Sequence, residues 1–139
     1  MSAFQILLAE DNPGVVLLVA AALEEHRIEY ELKVAHDGEE ALAFFAHMGQ
    51  PDSPPCPDLM LLDLNLPSLN GFEILTEFRK HPLCARTPVI VVSSSDTPTE
   101  RSRMAELGVV LYFKKPADLD AYMELGAIVR ATMSDRANT

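Results

Sequence analysis

The chain has 139 residues and a formal net charge of −10. That length suits one domain, the acidic balance disfavours a broad nucleic-acid surface, and no apolar run approaches the roughly 20 residues of a membrane span. Met1-Ser2-Ala3-Phe4 lacks the basic region of a secretory signal, and the two cysteines, Cys56 and Cys84, stand in no metal-ligand spacing, so the chain reads as a cytoplasmic protein with free thiols.

Ile6-Leu7-Leu8-Ala9 reads as a short buried strand ending in Glu10-Asp11. Asn12 suits an N-cap and Pro13 the first helical position, predicting a helix from about Pro13 to His26. Tyr30 to Ala35 alternates apolar and polar residues, the pattern of a half-exposed edge strand. Asp37 and Glu40 have capping-box spacing and open a helix to about Met48. Gly49 to Pro57 holds Pro51, Pro54, Pro55 and Pro57 and reads as a stiff surface loop.

Leu59-Met60-Leu61-Leu62 runs unbroken into Asp63, as does a strand buried on both faces of a parallel sheet. Asn70 and Glu73 cap the next helix, which Pro82 ends. Val89 to Val92 is a further buried strand leading into Ser93-Ser94-Ser95. Thr97-Pro98-Thr99-Glu100 is a capping box before a helix over 97–107, with Gly108 as its stop. Val109 to Phe113 is the fifth strand and leads to Lys114-Lys115-Pro116. Asp118 caps a last helix that runs to about residue 132, and Gly126 should weaken it by up to ~1 kcal/mol relative to alanine. Residues 1–133 are expected to form the domain and 134–139 a polar, frayed tail.

Strands that alternate with helices require parallel pairing with right-handed crossovers and helices on both faces. The expected fold is α/β, a flavodoxin-like doubly wound (βα)5 with the edge strand placing the order at 2-1-3-4-5. Ligands of such sheets bind at the carboxyl ends of the strands, near the switch between strands one and three. Glu10, Asp11, Asp63, Ser93 and Lys115 all stand at those ends. Three carboxylates in one crevice repel unless one is protonated or a cation is bound. Oxygen ligands without His or Cys select a hard ion, Mg²⁺ above others. A carboxylate nucleophile, a divalent cation, a lysine and a hydroxyl together suit phosphoryl transfer.

These residues, in order and at this spacing, resemble a response-regulator receiver domain over Ile6 to about Ala131. Gly71 stands eight residues after Asp63, Ser93 thirty after Asp63, and Lys115-Pro116 twenty-two after Ser93. The resemblance implies that Asp63 accepts a phosphoryl group from a sensor histidine kinase. It matches Glu10 and Asp11 to the Mg²⁺-holding acidic pair and Asn65 to the residue offering its backbone carbonyl. Ser93 matches the switch hydroxyl, Lys115 the lysine that pairs with the phosphoryl group, Tyr112 the switch aromatic, and Pro116 the residue after a cis peptide. Glu10 stands where Asp is commoner, which implies contact with the metal through water. Ser93 replaces the commoner Thr, and Asn70 the usual Asp.

The Glu-Asp pair, the proline-rich insertion and Leu62-Asp63-Leu64-Asn65-Leu66-Pro67 are similar to stand-alone regulators paired with phytochrome-type kinases. A haloacid-dehalogenase-like phosphatase would need an acid at position 65, where Asn stands. A flavodoxin-like electron carrier would need a hydroxyl-rich loop where Glu10-Asp11 stand. The remaining alternative is a receiver-like interaction scaffold that is never phosphorylated. The expected protein is a switch rather than an enzyme, with no DNA-binding unit after Val129. Its partners would be the kinase, a phosphotransfer protein or a second copy, without nucleic acid or membrane. Association is expected through 97–107, 109–113 and 118–132, with Leu111 or Phe113 partly exposed.

Overall fold

Leu59–Leu62 forms β3, the middle of a five-stranded parallel sheet, with every residue buried. The computed structural model describes residues 3–48, 56–67, 69–95 and 97–137. Around β3 stand β1 (Phe4–Ala9), β2 (Tyr30–Ala35), β4 (Val89–Ser93) and β5 (Val109–Lys114), in the order β2-β1-β3-β4-β5. The connecting helices are α1 (Pro13–Glu25), α2 (Gly38–His47), α3 (Gly71–Lys80) and α4 (Pro98–Glu106), with α5 (Leu119–Ala137) last. A short 3-10 turn, Pro82–Cys84, follows α3.

The period-two pleat divides the central strands between two cores. Leu7, Met60, Leu62 and Val91 face α2 and α3, in one cluster with Ile74, Leu75 and Phe78. Ile6, Leu61, Ile90 and Val92 face α1 and α5, with Val19, Leu23, Leu125 and Val129. Each fully buried Leu or Ile contributes about 1.5–3 kcal/mol against exposure, which is why the central strands need no alternation and the edge strand β2 shows it.

The helix starts follow local chemistry. Asn12 accepts the Gly14 N–H, Asn70 that of Glu73 and Thr97 that of Glu100, and the last pair forms a full capping box. At α2 the box is only half made: Asp37 accepts the Glu40 N–H, but the Glu40 carboxylate reaches back to the N–H and ring of His36. Gly108 lies at φ 79°, where a side chain would be strained, and so ends α4. Gly126 is not merely a weak helix residue. A Cβ there would fall onto the Ala22 carbonyl and the His26 ring, so its absence permits the close crossing of α1 and α5.

Several expectations are corrected. Cys56 and Cys84 are not free thiols; they form a disulfide with Cα atoms 5.6 Å apart. They are 28 residues apart in sequence, but each lies just before one of the paired strands β3 and β4, and neighbouring strands bring their entrances together. The Lys115–Pro116 bond is not cis: no cis peptide occurs among the described residues. Trans is the lower-energy form of an X–Pro bond by about 0.5–1 kcal/mol, and the chain bends at 117 and 118 to reach α5 without the tighter turn.

The last helix does not fray at Ser134; it continues to Ala137. Register shifts between Val89 and Ile90, whose partners are Val109 and Leu111, and the extra residue Val110 is exposed. Beyond this irregularity Leu111 is partly exposed, as expected, whereas Phe113 is buried against Tyr122. Most of the proline-rich loop lies outside the described residues.

Candidate functional site: an acidic crevice at the strand ends

Two neighbouring parallel strands, β1 and β3, deliver the acids. Glu10 follows β1 directly, and its N–H donates to Ala35 O at 3.0 Å. Asp63 follows β3, its N–H donating to Ala9 O at 3.0 Å. The sheet ladder therefore fixes both backbones, and both residues are buried, at 1 % and 4 % exposure. Asp11, one residue further out, is exposed. One carboxylate oxygen from each of Glu10, Asp11 and Asp63 lies within 4.8 Å of the others.

Lys115 reaches this cluster from the end of β5, where its N–H donates to Ser93 O at 2.8 Å. Its ammonium lies 2.9 Å from Glu10 Oε1 and 3.4 Å from Asp63 Oδ2. Asn12 N–H donates to Glu10 Oε2 at 3.2 Å and Asn65 N–H to Asp63 Oδ1 at 3.2 Å. Burial pushes the Glu10 carboxyl above its ordinary 4.5; the Lys115 hydrogen bond opposes that, and the Asp63 charge adds to it. For Lys115 burial acts downward, but Glu10 and Asp63 outweigh it and hold the ammonium above its ordinary 10.5.

One ammonium thus serves two buried carboxylates, with a third beside them. The negative charge exceeds the positive, and every nearby acidic donor is a hard oxygen. The set fits a divalent cation of the Mg²⁺ kind.

The sequence model of the response regulator receiver domain matches residues 6–125. The chain belongs to the response-regulator receiver family. Response regulator Rcp1 of Synechocystis sp. is 38% identical over 114 residues, covering 82% of this receiver and 78% of Rcp1. The phosphorylated cyanobacterial phytochrome response regulator RcpA superposes with a TM-score of 0.80 at 34% identity over 91% of each chain. The Mn²⁺-bound form of Rcp1 gives 0.79 at 36% identity, over 90% of this receiver and 91% of that one. This receiver is therefore a signalling domain of two-component systems with the flavodoxin-like order anticipated from its strands.

The remaining sequence-derived residues divide in two. Ser93, fully buried at the end of β4, stands at the same end of the sheet as Glu10, Asp63 and Lys115. Tyr112 is half-buried, with its hydroxyl donating to Ser95 O at 2.8 Å and the Arg101 guanidinium 4.7 Å from its ring centre. Pro116 sits after Lys115 in the trans form.

Sequence reasoning missed Ser95. Its N–H donates to Ser93 Oγ at 3.2 Å, and its hydroxyl lies 3.2 Å from Ser93 Oγ and 3.2 Å from Glu100 Oε2. The Asn65 amide also donates to that hydroxyl at 3.4 Å. The signal was present in the triplet Ser93-Ser94-Ser95, since alternate positions leaving a strand can share a side. No pattern separated Ser95 from an ordinary loop serine.

Proposed function

We propose that Asp63 is the phosphoacceptor of this receiver and takes its phosphoryl group from a phosphohistidine of a sensor kinase. A carboxylate oxygen of Asp63 attacks phosphorus in line, the histidine nitrogen leaves, and an acyl phosphate forms. The observation that carries this reading is the Asp63 carboxylate itself, its side chain 6 % exposed at the end of the central strand with Lys115 3.4 Å away. Lys115 can follow one acceptor oxygen from carboxylate to phosphoryl group and offset its charge. Glu10, Asp11, Asp63 and the Asn65 carbonyl would hold Mg²⁺, which neutralises charge on the phosphoryl oxygens when bound.

Ser93 is the hydroxyl that turns toward the new phosphoryl oxygens, and Tyr112 moves into the space released. The change emerges at α4, β5 and α5, where Val110, Leu111 and Leu119 are exposed. A target, a phosphotransfer protein or a second copy would bind that face in one state only. The likeness to Rcp1, RcpA and the bacteriophytochrome response regulator AtBRR, the last at 33% identity, favours a phytochrome-type kinase as donor. A kinase of that class works in the cytoplasm, where this reading puts the receiver. Residues 1–133 are the receiver unit on this view, although the helix runs on to Ala137.

Acetyl phosphate with Mg²⁺ should add a single phosphoryl group that hydroxylamine removes, read by intact mass. Asp63→Asn should abolish the mass shift. The same modification on that variant would overturn the assignment, and an unmodified wild type would favour the scaffold reading.

A further inference from the structure

A second cluster of ligating side chains lies at the opposite end of the sheet from the acidic crevice. The two sulfurs of Cys56 and Cys84 and one ring nitrogen of His81 lie within 4.8 Å of one another. In the structure the sulfurs are joined. In a reducing compartment a disulfide is opened by thiol or phosphine reductants. Each sulfur then gains an electron and a proton; a thiol reductant gives up its two protons and becomes its own disulfide, and a phosphine takes the oxygen of one water, which supplies both protons, and becomes its oxide.

The imidazole is already arranged for a ligand. His81 Nε2 is 2.9 Å from Met48 O, an acceptor, so Nε2 carries the proton and Nδ1 the lone pair. Nδ1 is buried and has no hydrogen-bond partner among the described residues. A backbone carbonyl that fixes the tautomer through the other ring nitrogen is the usual outer-shell arrangement of a metal-binding histidine. A fourth soft donor is adjacent: the Met48 thioether lies 4.0 Å from Cys84 Sγ, and Met48 and Cys84 are both buried. The acidic crevice offers only hard oxygens; this corner offers two sulfurs, a nitrogen and a thioether.

We propose that the reduced chain binds Zn²⁺ through Cys56 Sγ, Cys84 Sγ and His81 Nδ1, with Met48 Sδ or water completing the tetrahedron. Binding releases two thiol protons to solvent as the thiolates form. The same sulfurs make the disulfide, so the closed form and the metal-bound form exclude each other. This site is independent of phosphorylation at Asp63.

Cobalt(II) reads the site because thiolate ligands give it a near-ultraviolet charge-transfer band that carboxylates do not. The whole chain is reduced with a phosphine, freed of reductant without air, and titrated with Co²⁺ and then Zn²⁺ while excess Mg²⁺ occupies the acidic crevice. The band should appear, be bleached by one equivalent of Zn²⁺, and be absent from the chain with its disulfide closed. Cys56→Ser, at the half-buried cysteine, should remove it. His81→Gln, which keeps a donor for Met48 O, should weaken Zn²⁺ by at least about 10-fold. Circular dichroism of both variants checks that they fold. No thiolate band in the reduced wild type, or Zn²⁺ competition unchanged in His81→Gln, overturns the site.

Discussion

The acidic crevice and the corner around Arg79 each hold a half-buried cation, in opposite ways. Lys115 is shared between Glu10 and Asp63, with Asp11 beside them. Arg79, half-buried at the end of α3, donates to a set of backbone carbonyls: Leu107 at 2.8 Å, Thr87 at 2.6 Å, Cys84 at 3.0 Å and Gly108 at 3.2 Å, with Ala85 at 3.4 Å. Burial lowers the Arg79 pKa. Its planar fork ties the turn after α3 to the turn before β5. One region is short of positive charge and invites a ligand, whereas the other is saturated and supplies rigidity.

The comparison can be broken most sharply at Arg79. Arg79→Ala strands several carbonyls and should cost about 2–4 kcal/mol. Arg79→Lys should recover less than half, because an ammonium cannot span both turns. Urea unfolding at constant slope measures both. A neutral result in Arg79→Ala would mean that water replaces the guanidinium.

At the crevice the effects appear in ligand binding. Asp11→Ala should weaken Mg²⁺ more than Glu10→Gln if, as the proposed site has it, Glu10 reaches the ion through water. The pH dependence should distinguish them the other way. Because the Glu10 pKa is raised above 4.5, the folded metal-free chain holds a proton that the unfolded chain has lost. Its stability contribution therefore falls as pH rises from about 4.5 through the raised value. Mg²⁺ favours the ionised form, so its affinity should drop as pH falls through the same window, by at most about tenfold per unit. Glu10→Gln should flatten that slope, and calorimetric titration across pH checks it.

The smallest effect should separate the two regions in one experiment. Beryllofluoride bound at Asp63 should change hydrogen exchange across residues 97–132 while leaving the turn at 84–87 unaltered. Unchanged exchange over 97–132, with the mimic bound, would mean that the signal leaves by another route.

The contrast also explains what was legible in the sequence. Glu10, Asp63, Ser93 and Lys115 were readable because unbroken apolar runs mark parallel strands, and a strand's last residue is fixed by where its run stops. Helix starts were readable at Asn12, Asn70 and Thr97 because caps are local; at Asp37 the partner choice of Glu40 was not. Arg79 was hidden because its partners are carbonyls, which every residue has. The disulfide was hidden because cysteine spacing along the chain does not report that β3 and β4 enter the sheet side by side. Phe113 and Leu111 could not be ranked before the irregularity at Val110 was known.

Ser95 engages all its polar groups at once. Its N–H and hydroxyl meet Ser93, the hydroxyl also meets Asn65 and Glu100, and its carbonyl accepts from Tyr112. On the proposed reading Ser93 cannot swing away without releasing its share of this knot, and Tyr112 cannot swing in while held by it. Half-turned arrangements leave polar groups unmatched and are sparsely occupied. The receiver then behaves as a latch rather than a dial: what a downstream protein reads is the fraction of molecules tripped, not how far any one of them has moved.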